Sequence, residues 1–420
     1  MSDTDPLDVF LSRQPILDRQ QGLFAYELLF RGIGAGKEQL AGFTENEPTA
    51  AVIVNAFSGF ALTDALGTYQ GFIKADRDLL FSDLIKTLPP HLVVLEILDT
   101  VPRTPETIDR CKQLRQAGYM LASWARPESP DFENESLLKI VEFVKVDTGQ
   151  VEAERLKQFI PALKRLRKTI CAEKVENNAQ MRLCHELGFD LFQGYYFARP
   201  AETVGRQPQS SQAALLRLFG LISQDADTAE IEAVFKQEPM LTISLLRLTN
   251  SAASGLTRHI TSMRQAIDLL GRRQLLRWLQ LLLYSHSASN SAAASNPLLQ
   301  LAATRGRLME LLVDHTPEIR QYGRDLVDQA FMTGILSLMP AMLGDGFNAL
   351  LAQLPLAASV IDALNGHLGV LGDLLTLVEA LEEETPQKAV WVLQRLPDID
   401  IVCANGCLAR ALSWANSLAR

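Results

Sequence analysis

Two hydrophobic periodicities divide this chain. As far as about residue 200, short apolar blocks rich in β-branched and aromatic residues alternate with stretches of helical spacing. Residues 9–17 and 22–30 read as two strands joined by a turn at 18–22. Residues 72–75 predict a strand and 76–88 a helix; 92–97 predict a strand and 105–117 a helix stopped by Gly118. Strands follow at 119–124 and 143–147, the second leading into a helix over 153–167. The last unit is a strand at 170–173, a helix over 180–187 and a β-rich run at 191–197 that stops before Pro200. Strands alternating with helices imply a parallel sheet, and this many units imply closure into an α/β barrel. Such barrels build their sites at the C-terminal ends of the strands, which is where the acids Glu173 and Glu176 fall.

Beyond residue 200 the period changes. Residues 201–211 are polar and contain Gly205 and Pro208, a boundary signal. Helical spacing then recurs at 213–222, 229–234, 240–249, 263–270 and 274–283, with strand signals nearly absent. The expected division is a barrel domain over 1–203, a linker over 204–212 and an all-helical domain over 213–420. Residues 285–296 are low in complexity and read as a plain connector between helical subdomains.

Composition adds exclusions. At 420 residues the chain is long enough for two or three domains, and its 47% apolar and 21% charged content is ordinary for a globular protein. A formal net charge of −9 argues against a nucleic-acid partner. Arg272, Arg273 and Arg277 lie among apolar residues, so they read as a solvated helix face or a contact with a protein partner. Five cysteines, with no CxxC pair, point to reduced thiols rather than disulfides or zinc. Cys403 and Cys407 stand one helical turn apart but lack histidine neighbours. The acidic N-terminus lacks the pattern of a secretion signal. The most apolar region, 349–375, is interrupted by Pro355, Asp362, Asn365, His367 and Asp373, so no membrane insertion and a cytoplasmic location are expected.

The wording of several segments is more specific than their spacing. Ala172-Glu173-Lys174-Val175-Glu176 and the run from Gly188 to Pro200 closely resemble the end of the EAL domain, a TIM-barrel family that hydrolyses cyclic-di-GMP. Tyr26-Glu27-Leu28-Leu29-Phe30-Arg31 resembles its signature segment. The resemblance covers roughly residues 7–200. It implies two divalent metals, Mg²⁺ or Mn²⁺, held by acids and amides, with a metal-bound water attacking the phosphodiester. It also implies that Glu27 and Glu96 are metal ligands and that Arg31 contacts phosphate. Lys145 would hold the attacking water, and Glu173, Glu176 and Gln193 match the remaining site residues. The segments 238–253 and 262–271 resemble the HDOD domain, a helical relative of HD-family phosphohydrolases. In that half Ser337 and Leu338 fall where an HD pair would follow a glycine, and Asp314-His315 reads as a helix end, so no second active site is expected. The implied fold is an EAL-type TIM-like barrel followed by an all-α HDOD domain. The order resembles the bacterial EAL–HDOD signalling family, whose modules act as regulators, and EAL barrels often pair, so a homodimer is expected by analogy.

Two places depart from the resemblance. Lys74 stands where active members carry an asparagine ligand, and Trp124 and Ala125 stand where they carry two aspartates. Two negative charges are lost and one positive charge is gained, about three charge units, and each unit pair at ~4 Å is worth about 4 kcal/mol at an effective dielectric near 20. Tight binding of two dications should therefore be lost. Glu27, Glu96 and Glu173 can instead pair with Lys74 and Lys145 as a self-neutralised polar core. Against this stands a rebuilt loop after Trp124 that brings in Glu128 or Asp131. Three functional readings follow. The first is a non-catalytic regulator that needs no metal and acts through unknown signalling proteins. The second is a metal-dependent cyclic-di-GMP phosphodiesterase with rearranged ligands. The third is a receptor that binds cyclic-di-GMP without cleaving it.

Overall fold

The computed structural model describes residues 9–32, 62–127, 136–149, 151–198, 210–237, 263–285, 296–317, 325–343, 356–382, 386–396 and 398–417, with single helical positions at 241, 245, 249, 347 and 351. Glu128 and Asp131 lie outside the described residues.

Strands β1 (Val9–Asp18) and β2 (Leu23–Gly32) form an antiparallel ribbon. Its turn is tied by the Asp18 carboxylate, which accepts from the backbone N–H of Gln20 and Gly22. Six parallel strands follow: β3 (Gln70–Ala75), β4 (Val93–Ile97), β5 (Met120–Trp124), β6 (Phe143–Asp147), β7 (Thr169–Glu173) and β8 (Leu191–Gln193). β8 pairs antiparallel with β1, which closes an eight-stranded barrel. Between strands run α1 (Leu62–Leu66), α2 (Arg77–Phe81), α3 (Pro105–Gln116), α4 (Ser136–Ile140), α5 (Ala153–Arg165) and α6 (Asn178–Leu187).

Two elements differ from the sequence reading. The helix expected over 76–88 is α2 followed by a separate 3₁₀ turn at Asp83–Thr87. Ser82 divides them, because its backbone N–H closes the first on Leu79 while its hydroxyl caps the second at Leu84 N. The β-rich run at 191–197 ends as a strand at Gln193. Gly194 turns the chain at φ 151°, and any Cβ there would sit 2.1 Å from the Val175 carbonyl oxygen.

The helical half begins at Ser210, inside the expected linker, with α7 (Ser210–Ser223) and α8 (Thr228–Gln237). Next come α9 (Met263–Ser285), α10 (Pro297–His315), α11 (Leu326–Leu336), α12 (Met339–Leu343), α13 (Ala358–Gly366), α14 (Gly369–Glu382), α15 (Pro386–Leu393) and α16 (Ile401–Ser417). The helices read at 263–270 and 274–283 are one run broken at Gly271, whose φ of 70° suits glycine. Asn296 caps α10 at the N–H of Leu298 and Leu299, and Pro297 takes its first turn. Most of the connector at 285–296 lies outside the described residues.

α10 and α11 pack backbone to backbone, because a Cβ on Gly334 would lie 2.7 Å from Gly306 Cα. Gly334→Val is therefore expected to destabilise the protein by about 3 kcal/mol, read as a lower urea midpoint at unchanged slope.

Arg272, Arg273 and Arg277 form ion pairs within the chain. They clamp α9 to its surroundings: Arg272 pairs with Asp225 at 3.1 Å and Arg273 with Asp328 at 2.6 Å, while Arg277 reaches both Asp328 and Glu310. The helical half also docks on the barrel, where Ala65 of α1 joins the apolar core built by α10, α14 and α16. Among the described residues no single helix is long and apolar enough to cross a membrane; α13 and α14 together meet that test but bend by 41°. Leu371, Leu374, Leu375 and Val378 of that pair are buried in the helical core.

Candidate functional site

Each strand places one residue in an inner apolar layer: Ile16, Ala25, Phe72, Val94, Ala122, Phe143, Cys171 and Leu191. Side chains on a strand return to the same face every second residue. The next inward positions toward the C-terminal mouth of the parallel strands are therefore Glu27, Lys74, Glu96, Trp124, Lys145, Glu173 and Gln193. β1 runs the other way, so its contribution lies two residues earlier, at Gln14. All eight are polar or carry a polar ring edge, and they form one connected layer.

Lys145 is its centre. Its ammonium is fully buried and lies 2.7 Å from Glu27 Oε2 and 2.5 Å from Glu96 Oε2, and it also contacts Glu173 Oε1. Lys74, partly exposed, approaches Glu27 Oε1 at 3.3 Å. The Trp124 indole N–H donates to Glu96 Oε1 at 2.7 Å, so the ring added at the end of β5 holds an acid in place. Gln193 Nε2 donates to Glu27 Oε2 at 2.7 Å and also to Gln14 Oε1. Ligand atoms of Glu27, Glu96 and Glu173 all lie within 4.8 Å of one another.

Burial and charge act in opposition here. Burial pushes the Glu27 carboxyl up, but the ammoniums of Lys145 and Lys74 outweigh it and hold the group at about 2. Burial and the neighbouring acids push Glu173 to about 8, against the pull of Lys145. Glu96 is also raised, chiefly by burial. Burial works against the charged form of both lysines, yet the surrounding carboxylates raise Lys145 and Lys74 above the ordinary lysine value. Lys145 and Trp124 donate to the two oxygens of Glu96, while burial and the neighbouring acids push Glu173 toward its neutral form. Glu27 and Glu96 then balance Lys74 and Lys145.

Glu173 binds its proton more tightly folded than unfolded, so its contribution to stability falls as pH rises from about 4.5 to about 8. Glu173→Gln removes that loss. Its stability relative to the parent is expected to grow across this window by a few kcal/mol, checked by urea melts at several pH values.

The remaining sequence candidates are placed as follows. Ala125 is buried in the outer core rather than the mouth, and its N–H donates to Lys145 O, so it does not stand in a ligand position. Glu176 stands outside the carboxylate group, its N–H donating to Gln180 Oε1. The Arg31 side chain lies outside the described residues. Gln14 was missed; its signal was the two-residue register running backwards along an antiparallel first strand. In the helical half, Ser337 accepts from buried Arg305, which also pairs with Glu379 and Glu382.

Comparison with known proteins agrees with both halves. The family model of the EAL domain matches residues 139–200 and that of the HDOD domain matches 211–343. YuxH of Bacillus subtilis, named as uncharacterized, is 27% identical over 419 residues, spanning 98% of each chain. A Vibrio cholerae protein named cyclic di-GMP phosphodiesterase CdgJ is 29% identical over 386 residues, 91% of this chain and 85% of its own. Among solved structures, Klebsiella pneumoniae BlrP1 with calcium and cyclic-di-GMP is similar at 21% identity and a TM-score of 0.38, over 48% of this chain and 58% of that one. Bacillus subtilis YkuI, an EAL-domain protein with cyclic-di-GMP and calcium, is similar at 19% identity and a TM-score of 0.38, over 64% and 75%.

Proposed function

We propose, from the matches to the EAL domain at residues 139–200 and the HDOD domain at residues 211–343, that the chain is a non-catalytic signalling regulator acting through protein–protein contacts. One observation carries the reading: the Lys145 ammonium sits among the three carboxylates that a metal centre would need. A two-metal site holds its cations about 3.5–4 Å apart and needs several ionised oxygens free to bind them. Here the oxygens are committed to Lys145, Lys74, Trp124 and Gln193, and Glu173 is pushed toward its neutral form. Two dications would also bring four positive charges beside two ammoniums. The donor set does not fit the metal pair, and no hydrolytic step is assigned to it.

A second reading, an active cyclic-di-GMP phosphodiesterase, is favoured by the name of the Vibrio relative. A receptor that binds the nucleotide without cleaving it is the third, resting on the partly exposed Lys74 at the mouth. One titration separates the three. The full chain is mixed with cyclic-di-GMP and Mg²⁺ or Mn²⁺, and both binding and the linear product are followed. The expected result is no product. Steady turnover that vanishes in Glu27→Ala would establish the second reading, and saturable binding without product the third.

A further inference from the structure

The two halves meet along the outer face of the β1–β2 ribbon, around a cleft with a cavity volume of about 40 Å³. Alternation along the ribbon separates this cleft from the barrel mouth: Arg13 and Tyr26 face out, while Gln14 and Glu27 face in. Arg13 is partly buried, and among the described residues its hydrogen-bond partners are neutral: Ala65 O, Asn416 Oδ1 at 3.2 Å and Thr304 Oγ1 at 3.4 Å. Its guanidinium lies 4.1 Å over the Tyr26 ring. Among the described residues no carboxylate pairs with it, and its Nε–H makes no hydrogen bond. Burial lowers its pKa below the ordinary arginine value, the mark of a charge short of solvent and of counter-charge. Glu382 also borders the cleft but is taken by Arg305.

Two further polar groups face the same space unanswered. Tyr26 and Gln300 are each only 3% exposed, yet among the described residues the Tyr26 hydroxyl and Gln300 Oε1 have no hydrogen-bond partner. The other walls are largely apolar, with Leu301, Leu308, Leu381 and Leu412 among them. Water could satisfy the hydroxyl and the amide, but it would leave the guanidinium without a counter-charge.

We propose that this interdomain cleft binds a small aliphatic monocarboxylate, its head on Arg13 and Tyr26 and its chain against the leucines. The carboxylate accepts from the Arg13 Nε–H and the Tyr26 O–H, a charge-assisted arrangement. The Gln300 amide, whose oxygen has no partner among the described residues, turns its NH₂ toward the second oxygen. The volume admits about three waters or a short alkyl chain, so the ligand is short, its end directed to the open side of the cleft. This site does not depend on what the barrel mouth does.

The test uses the full chain and hexanoate, followed by calorimetric titration and saturation-transfer NMR. Hexanoate should bind saturably with a Kd in the millimolar range or tighter, and hexanol and inorganic phosphate at least about tenfold more weakly. Arg13→Gln should weaken hexanoate about tenfold or more. Leu301→Trp, which fills the cleft and leaves Arg13 untouched, should abolish binding while near-UV circular dichroism shows a folded chain; it carries the test if Arg13→Gln does not fold. The proposal is overturned if hexanoate does not saturate. Equal binding of hexanol or phosphate overturns it too, as does undiminished affinity in a folded Arg13→Gln or Leu301→Trp chain.

Discussion

Lys145→Met is expected to unfold the barrel near neutral pH, or to leave it barely stable. Methionine fills much the same volume but removes the cation that Glu27, Glu96 and Glu173 share. Removing one side of a buried ion cluster costs about 3–5 kcal/mol, because the remaining charge is stranded away from water. That is a large part of the stability of an ordinary domain. The loss should shrink on acidification. Without the ammonium, the folded-state pKa values of these carboxyls rise above their unfolded values, so the variant regains stability as pH falls. Urea melts of parent and variant at pH 7.5 and pH 5 check this. Equal midpoints at the higher pH would show that Lys145 is not the counter-charge described above.

The second large effect is a gain. Lys74→Asn with Trp124→Asp removes one positive charge, adds one negative charge and releases Glu96 from the indole N–H. This pair should create a Mn²⁺ response that the parent lacks. A metal that binds only the folded state raises stability by about 2.7 kcal/mol at a hundredfold excess over Kd. The thermal midpoint of the variant should therefore climb with Mn²⁺ while that of the parent stays level. Identical responses would mean that these two side chains do not decide metal affinity. Ala125 is best left alone, since an aspartate there would enter the apolar outer core, where an ionised side chain has no partner.

Fold class was legible because it follows from local repetition. The βα alternation, the turn at Asp18 and the helical spacing after residue 210 each depend on neighbours a few residues away. Errors arose where a local signal met a competing local device, as at Ser82, or where a backbone contact from another strand set the limit, as at Gly194 against Val175. The site was partly legible for a different reason. The wording of the EAL-like segments named Glu27, Lys74, Glu96, Trp124, Lys145, Glu173 and Gln193, and the structure sets each of them two residues past an inward apolar position, the period of a strand.

The amino-acid order by itself determined the alternation of strands and helices, and the wording of its EAL-like segments pointed to seven of the side chains at the barrel mouth, whose charges nearly cancel because charge is additive. Only the tertiary structure decided who pairs with whom. It put Lys145 at the centre rather than Lys74, turned Ala125 outward, brought in Gln14 from 179 residues away from Gln193, and set Arg13 against Asn416 and Thr304 between the two halves. Those outcomes rest on distances between residues far apart in the chain, which barrel closure and domain docking set and no local pattern encodes.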